Sequence, residues 1–171
     1  MTGSHSPKRI AIAHPTGNTF SRSAAEAFYR SDLLDTFHTC IAVGEGSANP
    51  IANRLYAQRR CEIPQSLIRT RPTRELVRLM LQKKGWFPSL HKHEIGTFCV
   101  DSVYQDLDRH VATWLSENDT PPAAIYAYED GALASFEAAR KRGIQRIYDL
   151  PIGYWRAARR IQSEEAERLP E

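Results

Sequence analysis

Cysteine is scarce in this 171-residue sequence. Cys40, Cys61 and Cys99 are odd in number and widely spaced, with no CxxC pair, which argues against a thiolate zinc site or a dithiol redox motif. Free thiols in a reducing compartment are the expectation, and the cytoplasm is the expected location. There is no run of about 20 apolar residues, so no membrane-spanning helix is expected. The stretch Met1–Pro15 has too few apolar residues for a signal-peptide core. The dinucleotide fingerprint GxGxxG, the phosphate loop GxxxxGK and the nucleophile elbow GxSxG are all missing, which removes the main support for nicotinamide, ATP and serine-hydrolase chemistry. Neither sign of charge dominates: 23 Lys and Arg stand against 20 Asp and Glu, and a net charge of +3 gives no case for nucleic acid. At 42% hydrophobic and 25% charged residues, the chain reads as soluble and globular. It is long enough to bury a core without disulfide or metal staples. Residues 1–7 are expected to be a disordered tail, and 8–171 a single domain.

The order of elements points to an α/β domain. Arg9 to Ala13 reads as a buried strand closed by His14-Pro15, and Thr16-Gly17-Asn18-Thr19 as a turn. A helix follows over 21–31, with Ser23 and Glu26 spaced as a capping box. Residues 36–43 read as a strand, 51–60 and 73–84 as helices, the second opened by Pro72 and stopped by Gly85. The clearest helix is 101–118. It puts Val103, Tyr104, Leu107, Val111, Trp114 and Leu115 on one face, with Asp101 able to cap it. Residues 123–128 and 144–148 read as strands around a helix over 131–142, for which Asp130 is the cap and Gly143 the left-handed stop. A last helix covers about 154–168. Strands alternating with helices predict a doubly wound, mostly parallel open sheet of Rossmann-like type.

Such sheets bind ligands at the carboxyl ends of their strands. Three ends can be placed: His14-Pro15-Thr16-Gly17-Asn18, Tyr128-Glu129-Asp130 and Asp149-Leu150-Pro151. Gly17 is either a plain turn glycine before a capping Asn18 or a point where backbone N–H groups approach a phosphate at a helix start. Glu129 and Asp149, at separate strand ends, are placed to act as a base or to hold hydroxyls. Two other clusters fail. Asp106-Leu107-Asp108 has the letters of a DxD metal motif but lies within a helix, where i and i+2 diverge. His91, His93, Glu94 and Cys99 lack metal-ligand spacing.

The stretch Arg9 to Asn18, the segment Phe37-His38-Thr39, the run Ala127-Tyr-Glu-Asp-Gly-Ala132 and above all Ile147-Tyr-Asp-Leu-Pro-Ile-Gly-Tyr-Trp-Arg156 resemble the N-terminal, acceptor-side domain of bacterial GT-B glycosyltransferases of family four. The resemblance runs from Lys8 to the end of the sequence. It implies one half of a two-domain enzyme whose second half, absent from this chain, binds the nucleotide-sugar. The activity implied is hexosyl transfer, retaining and metal-independent, with the nucleotide-sugar as co-substrate and no other cofactor. A sugar or lipid-linked acceptor, as in envelope polysaccharide synthesis, is the implied partner, and this half alone would be inactive. Gly17 would lie near the donor phosphates, with His14, Thr16, Asn18, Tyr128, Asp130 and Tyr154 around donor phosphate and acceptor. Glu129 would line the acceptor side, and Asp149 stands where many relatives have a histidine. Glu129 and Glu137 have the spacing of the family's donor-binding glutamate pair, but that pair belongs to the second domain. A free-standing α/β binding module is the alternative.

From Arg54 to Lys84 there are nine basic residues and two acids, Glu62 and Glu75. Two expectations cover the helix in this block and the Trp86-Phe87 that follows. One is an ordinary core-facing helix with solvated basic flanks. The other is a segment, 73–87, lying peripherally on the inner membrane face.

Overall fold

The computed structural model describes residues 9–48, 50–128, 131–150 and 155–169, with the side chains of residues 51, 52, 55 and 155 left aside. Its centre is a five-stranded parallel sheet. β1 (Ile10–Ala13) lies in the middle, β2 (Leu34–Thr39) and β5 (Ile68–Thr70) follow on one side, and β6 (Ala124–Tyr128) and β7 (Gln145–Asp149) on the other. β3 (Val43–Glu45) and β4 (Arg60–Pro64) form a separate parallel pair. The expected doubly wound α/β architecture is therefore present.

Alternation along β1 assigns the two faces. Ile12 packs with Ala25 and Phe28 of α1 (Thr19–Arg30), whereas Ala11 and Ala13 pack toward α4 (Val100–Glu117) and α5 (Leu133–Lys141). Small alanines on β1 and β6 let α4 approach the sheet closely with Val103, Leu107, Val111 and Leu115, all buried. Trp114 lies over the ring of His38 at 4.5 Å. A register shift between β1 and β2 brings both Leu34 and Phe37 to the α1 face.

Several local expectations change. The strand expected over 36–43 ends at Thr39, because the chain leaves the main sheet and Val43 starts the smaller one. The helix expected over 51–60 is α2 (Pro50–Leu55) and one 3-10 turn, and Arg60 already belongs to β4. Ser23 and Glu26 make no capping box. α1 starts earlier, with Asn18 Oδ1 accepting the Ser21 N–H at 2.9 Å, while Glu26 accepts the N–H of Glu62. The α4 cap is Cys99, whose Sγ accepts from Ser102 N–H; Asp101 sits in the first turn and accepts from the Glu94 N–H. α5 begins at Leu133 rather than Gly131, and its free N–H groups are met from another helix. Asp108, buried on α4, accepts from Ala134 and Ser135 N–H at 2.7 and 2.9 Å. Asp130, the cap expected for this helix, lies outside the described residues. Gly143 is left-handed after α5 as expected, and Gly85, the expected stop of the helix over 73–84, is left-handed too.

α3 (Thr73–Lys84) has the expected bounds and lies against α4. Its inward side holds Leu81 and the buried ion pair of Glu75 with Arg78, bidentate at 2.7 Å. Leu76, Leu79 and Met80 are partly exposed, so the apolar residues are divided between the inward side, which takes Leu81, and solvent, and the core-facing expectation holds only in part. α6 (Trp155–Arg168) is mostly exposed. Residues 1–7 lie outside the described residues, as does the start expected for the last helix at Tyr154.

Candidate functional site

Strand order reverses between β1 and β6, since the chain proceeds from β1 to β2 and β5 on one side and from β6 to β7 on the other. The crevice between the ends of β1 and β6 is where a sheet of this kind binds ligands. The loop after β1 is shaped by His14. Its Nδ1 accepts the Gly17 N–H at 3.2 Å and lies 3.3 Å from the Thr16 hydroxyl. An amide N–H can only donate, so Nδ1 is unprotonated, and a neutral ring must carry its proton on Nε2. Burial favours that neutral form and lowers the His14 pKa from 6.5 to about 4; nearby Arg59 lowers it further, partly opposed by a backbone hydrogen bond and by Asp149. His14 is thus a buried hydrogen-bond donor through Nε2–H, not a base poised near neutral pH.

Gly17 is required at its position. Its φ is +52°, and a Cβ there would sit 2.8 Å from the Thr39 hydroxyl oxygen. Thr39 in turn donates to the Pro15 carbonyl, which also accepts from the Cys40 N–H, so the loop is fastened to the end of β2. Two arginines hold its carbonyls. Arg22 donates to Gly17 O at 2.7 Å, and Arg59 donates to Thr16 O. Both guanidinium groups bring positive charge to the loop that leads into the start of α1. Asn18 is spent on capping, as the plainer of the two expectations for this turn had it.

On the β6 side, the Tyr128 ring meets His14 edge-on at 4.4 Å, and Tyr126 meets Tyr128 at 5.4 Å. The Tyr126 hydroxyl donates to the Asp149 carboxylate across to β7. Burial, followed by that carboxylate, raises the Tyr126 pKa above the usual phenol value, and burial also raises that of Tyr128, so both stay protonated. A continuous chain of contacts therefore joins His14, Thr16, Gly17 and Asn18 with Tyr128 and Asp149 at one edge. Glu129, Asp130 and Tyr154 lie outside the described residues. Glu137 is exposed on α5, as its helical position suggested.

Sequence reasoning missed Arg22, Arg59 and Tyr126. It also missed Phe20, which is 78% exposed in the first turn of α1 beside the loop. An aromatic residue two positions after a turn Gly-Asn was the available signal. A cavity of about 630 Å³ lies on the α4–α5 side, lined by Gln105, Asp108, Arg109, Leu133 and Tyr148 among others. None of the described candidate residues lines it. Among the described residues no group of three or more His, Cys, Asp or Glu side chains is placed to hold a metal ion. Of the acids with DxD spacing, Asp106 pairs with Arg71 and Arg74 while Asp108 caps α5.

No family model matches the chain, and no curated protein matches it. Among solved structures its fold is similar to that of TcCGT1, determined in complex with UDP. The TM-score is 0.52 and the identity 14%, over 97% of this chain and 35% of TcCGT1. The chain thus spans about a third of that protein's length, and the likeness at this identity is one of fold.

Proposed function

We propose that this chain is the acceptor-side half of a nucleotide-sugar-dependent glycosyltransferase of GT-B architecture, acting with a donor half outside it. The observation that carries the proposal is the Gly17 loop at the reversal of strand order, held by His14 and by the positively charged Arg22 and Arg59. The similarity in fold to TcCGT1, a protein determined in complex with UDP, supports it, as does the share of that protein the chain covers. The sequence resemblance adds hexosyl transfer, retention and metal independence to the proposal. It also adds cytoplasmic action on a sugar or lipid-linked acceptor; free, buried cysteines suit a reducing compartment.

In this scheme the leaving diphosphate lies over the Gly17 loop. Arg22, Arg59 and the start of α1 offset its charge without reorganising. His14 Nε2–H donates to a phosphate or sugar oxygen. Glu129, directly after β6, and Asp149, oriented by Tyr126, hold acceptor hydroxyls. Phe20 offers an exposed ring on which a sugar face can pack. The test is a scan of nucleotide-sugars and acceptors with the complete protein that contains this chain. Transfer from at least one donor, with release of its nucleoside diphosphate, is expected. A protein that binds acceptor sugars yet transfers from no donor would instead be the binding module without catalysis.

A further inference from the structure

We infer that the solvent face of α3 and the loop after it form a docking surface for anionic lipid. The inference stands apart from the proposed sugar transfer. Its basis is the inverted polarity of α3. Leu76, Leu79, Met80 and Lys83 follow one another at i, i+3, i+4 and i+7 on one face, opposite the buried side that holds Arg78 and Leu81. A helix of a water-soluble domain normally turns its leucines inward and its charges outward. Here the ion pair is inside with Leu81, while Leu76, Leu79 and Met80 are left partly exposed on the other side.

The loop extends this face. Gly85 ends α3 in the left-handed conformation, and Phe87 also adopts positive φ, at +47°. Trp86 and Phe87 are left 54% and 64% exposed. The Lys84 ammonium lies 5.9 Å from the centre of the Trp86 ring.

Charge selects the occupant. From Leu76 to His93 the sequence has no acid, and besides the buried, paired Arg78 it has three cations, Lys83, Lys84 and Lys92. The acid nearest before it, Glu75, is buried and neutralised by Arg78. Arg71 and Arg74 face Asp106 toward α4, whereas Lys83 and Lys84 at the end of α3 have no ion-pair partner among the described residues. Protein interfaces are depleted in lysine. A lipid interface uses this composition: aliphatic side chains entering the acyl boundary, tryptophan at the headgroups, and lysines reaching anionic phosphates along their own methylene stems. The shared chemistry is therefore that of an anionic phospholipid surface, not of a second protein.

The test is co-sedimentation of the 171-residue chain with phosphatidylglycerol-containing vesicles and with pure phosphatidylcholine vesicles at low salt. Binding to the first and not the second, reversed by raised salt, is expected. Lys83→Glu/Lys84→Glu should weaken it by at least about tenfold, from the usual contribution of a basic residue at such a surface. Trp86→Ala/Phe87→Ala should also weaken it. All four side chains are exposed, so unchanged circular dichroism and unfolding midpoints will show that the variants fold. Three results would each overturn the inference: no binding to anionic vesicles, binding indifferent to both double variants, or a vesicle-free dimer that Met80→Glu dissolves. The last would make a second copy the occupant.

Discussion

Acid should unfold this domain through two histidines that the fold keeps neutral. His38 is fully buried on β2, and burial lowers its pKa from 6.5 to about 3, with His110 and Arg69 adding to the effect; His14 falls to about 4. Below pH 6.5 the unfolded chain takes up two protons that the folded chain refuses. The unfolded state then binds more protons, so stability is complete above that pH and falls as pH drops toward the folded values. Each histidine contributes about 1.4 kcal/mol per pH unit in this window, and together they should remove about 4 kcal/mol between about pH 7 and pH 5. That is a large part of a typical stability of roughly 5–15 kcal/mol. His38→Leu isolates one of them. The Thr36 hydroxyl donates to Asp35 and so accepts from His38 Nε2–H, which leaves the buried Nδ1 with no donor; leucine removes that orphan and keeps an apolar contact for Trp114. Urea unfolding at stepped pH should show the variant within about 1 kcal/mol of the parent at high pH. Its loss between pH 7 and 5 should be near half, about 2 kcal/mol. An equal acid slope in parent and variant, or no slope in the parent, would refute the burial argument.

Three further outcomes are expected. Asp108→Ala leaves two N–H groups at the start of α5 without acceptors, and should cost about 2–3 kcal/mol in urea unfolding, with Asp108→Asn recovering part. Gly44→Ala would place a Cβ 2.6 Å from the Ile63 carbonyl and 2.9 Å from Gln65 Cα, both backbone atoms; a loss of about 2 kcal/mol or more should follow, and an unchanged midpoint would mean the β3–β4 pair is looser than it stands. Burial pushes the Cys40 thiol up to about 12 and Cys61 up to about 11, and Cys99 is also buried, so a chromogenic disulfide reagent at mildly alkaline pH should label none of the three rapidly until denaturant is added.

The main sheet was legible where strands are central and apolar. Ile10 to Ala13 and Ala124 to Tyr128 are bounded by turns and carry their own signal. β4 and β5 were not, because each is short and carries arginine on its exposed side, which masks a strand pattern. Caps supplied from a distance have no local trace: Asp108 meets α5 from 26 residues upstream. Asp101 was expected to cap α4 because a carboxylate is the commoner cap, whereas the neighbouring Cys99 takes that place. α3 was legible in its bounds, but two readings of its apolar face stayed open because periodicity gives the face but not which way it turns. In the site, the turn at Gly17 could be seen in the letters, whereas Arg59 reaches Thr16 across 43 residues and no spacing rule finds it.

The most direct measurement compares two glutamates in the complete protein, using the donor and acceptor that the scan identifies. Glu129 directly follows β6 in the sequence and is proposed for the crevice, and Glu137 is exposed on α5. Initial rates of sugar transfer for Glu129→Gln should fall at least about tenfold, equivalent to about 1.4 kcal/mol in the barrier, while Glu137→Gln keeps the parent rate. Parent-like transfer by Glu129→Gln, or an equal loss in both variants, would contradict an acceptor site at the β1–β6 crevice.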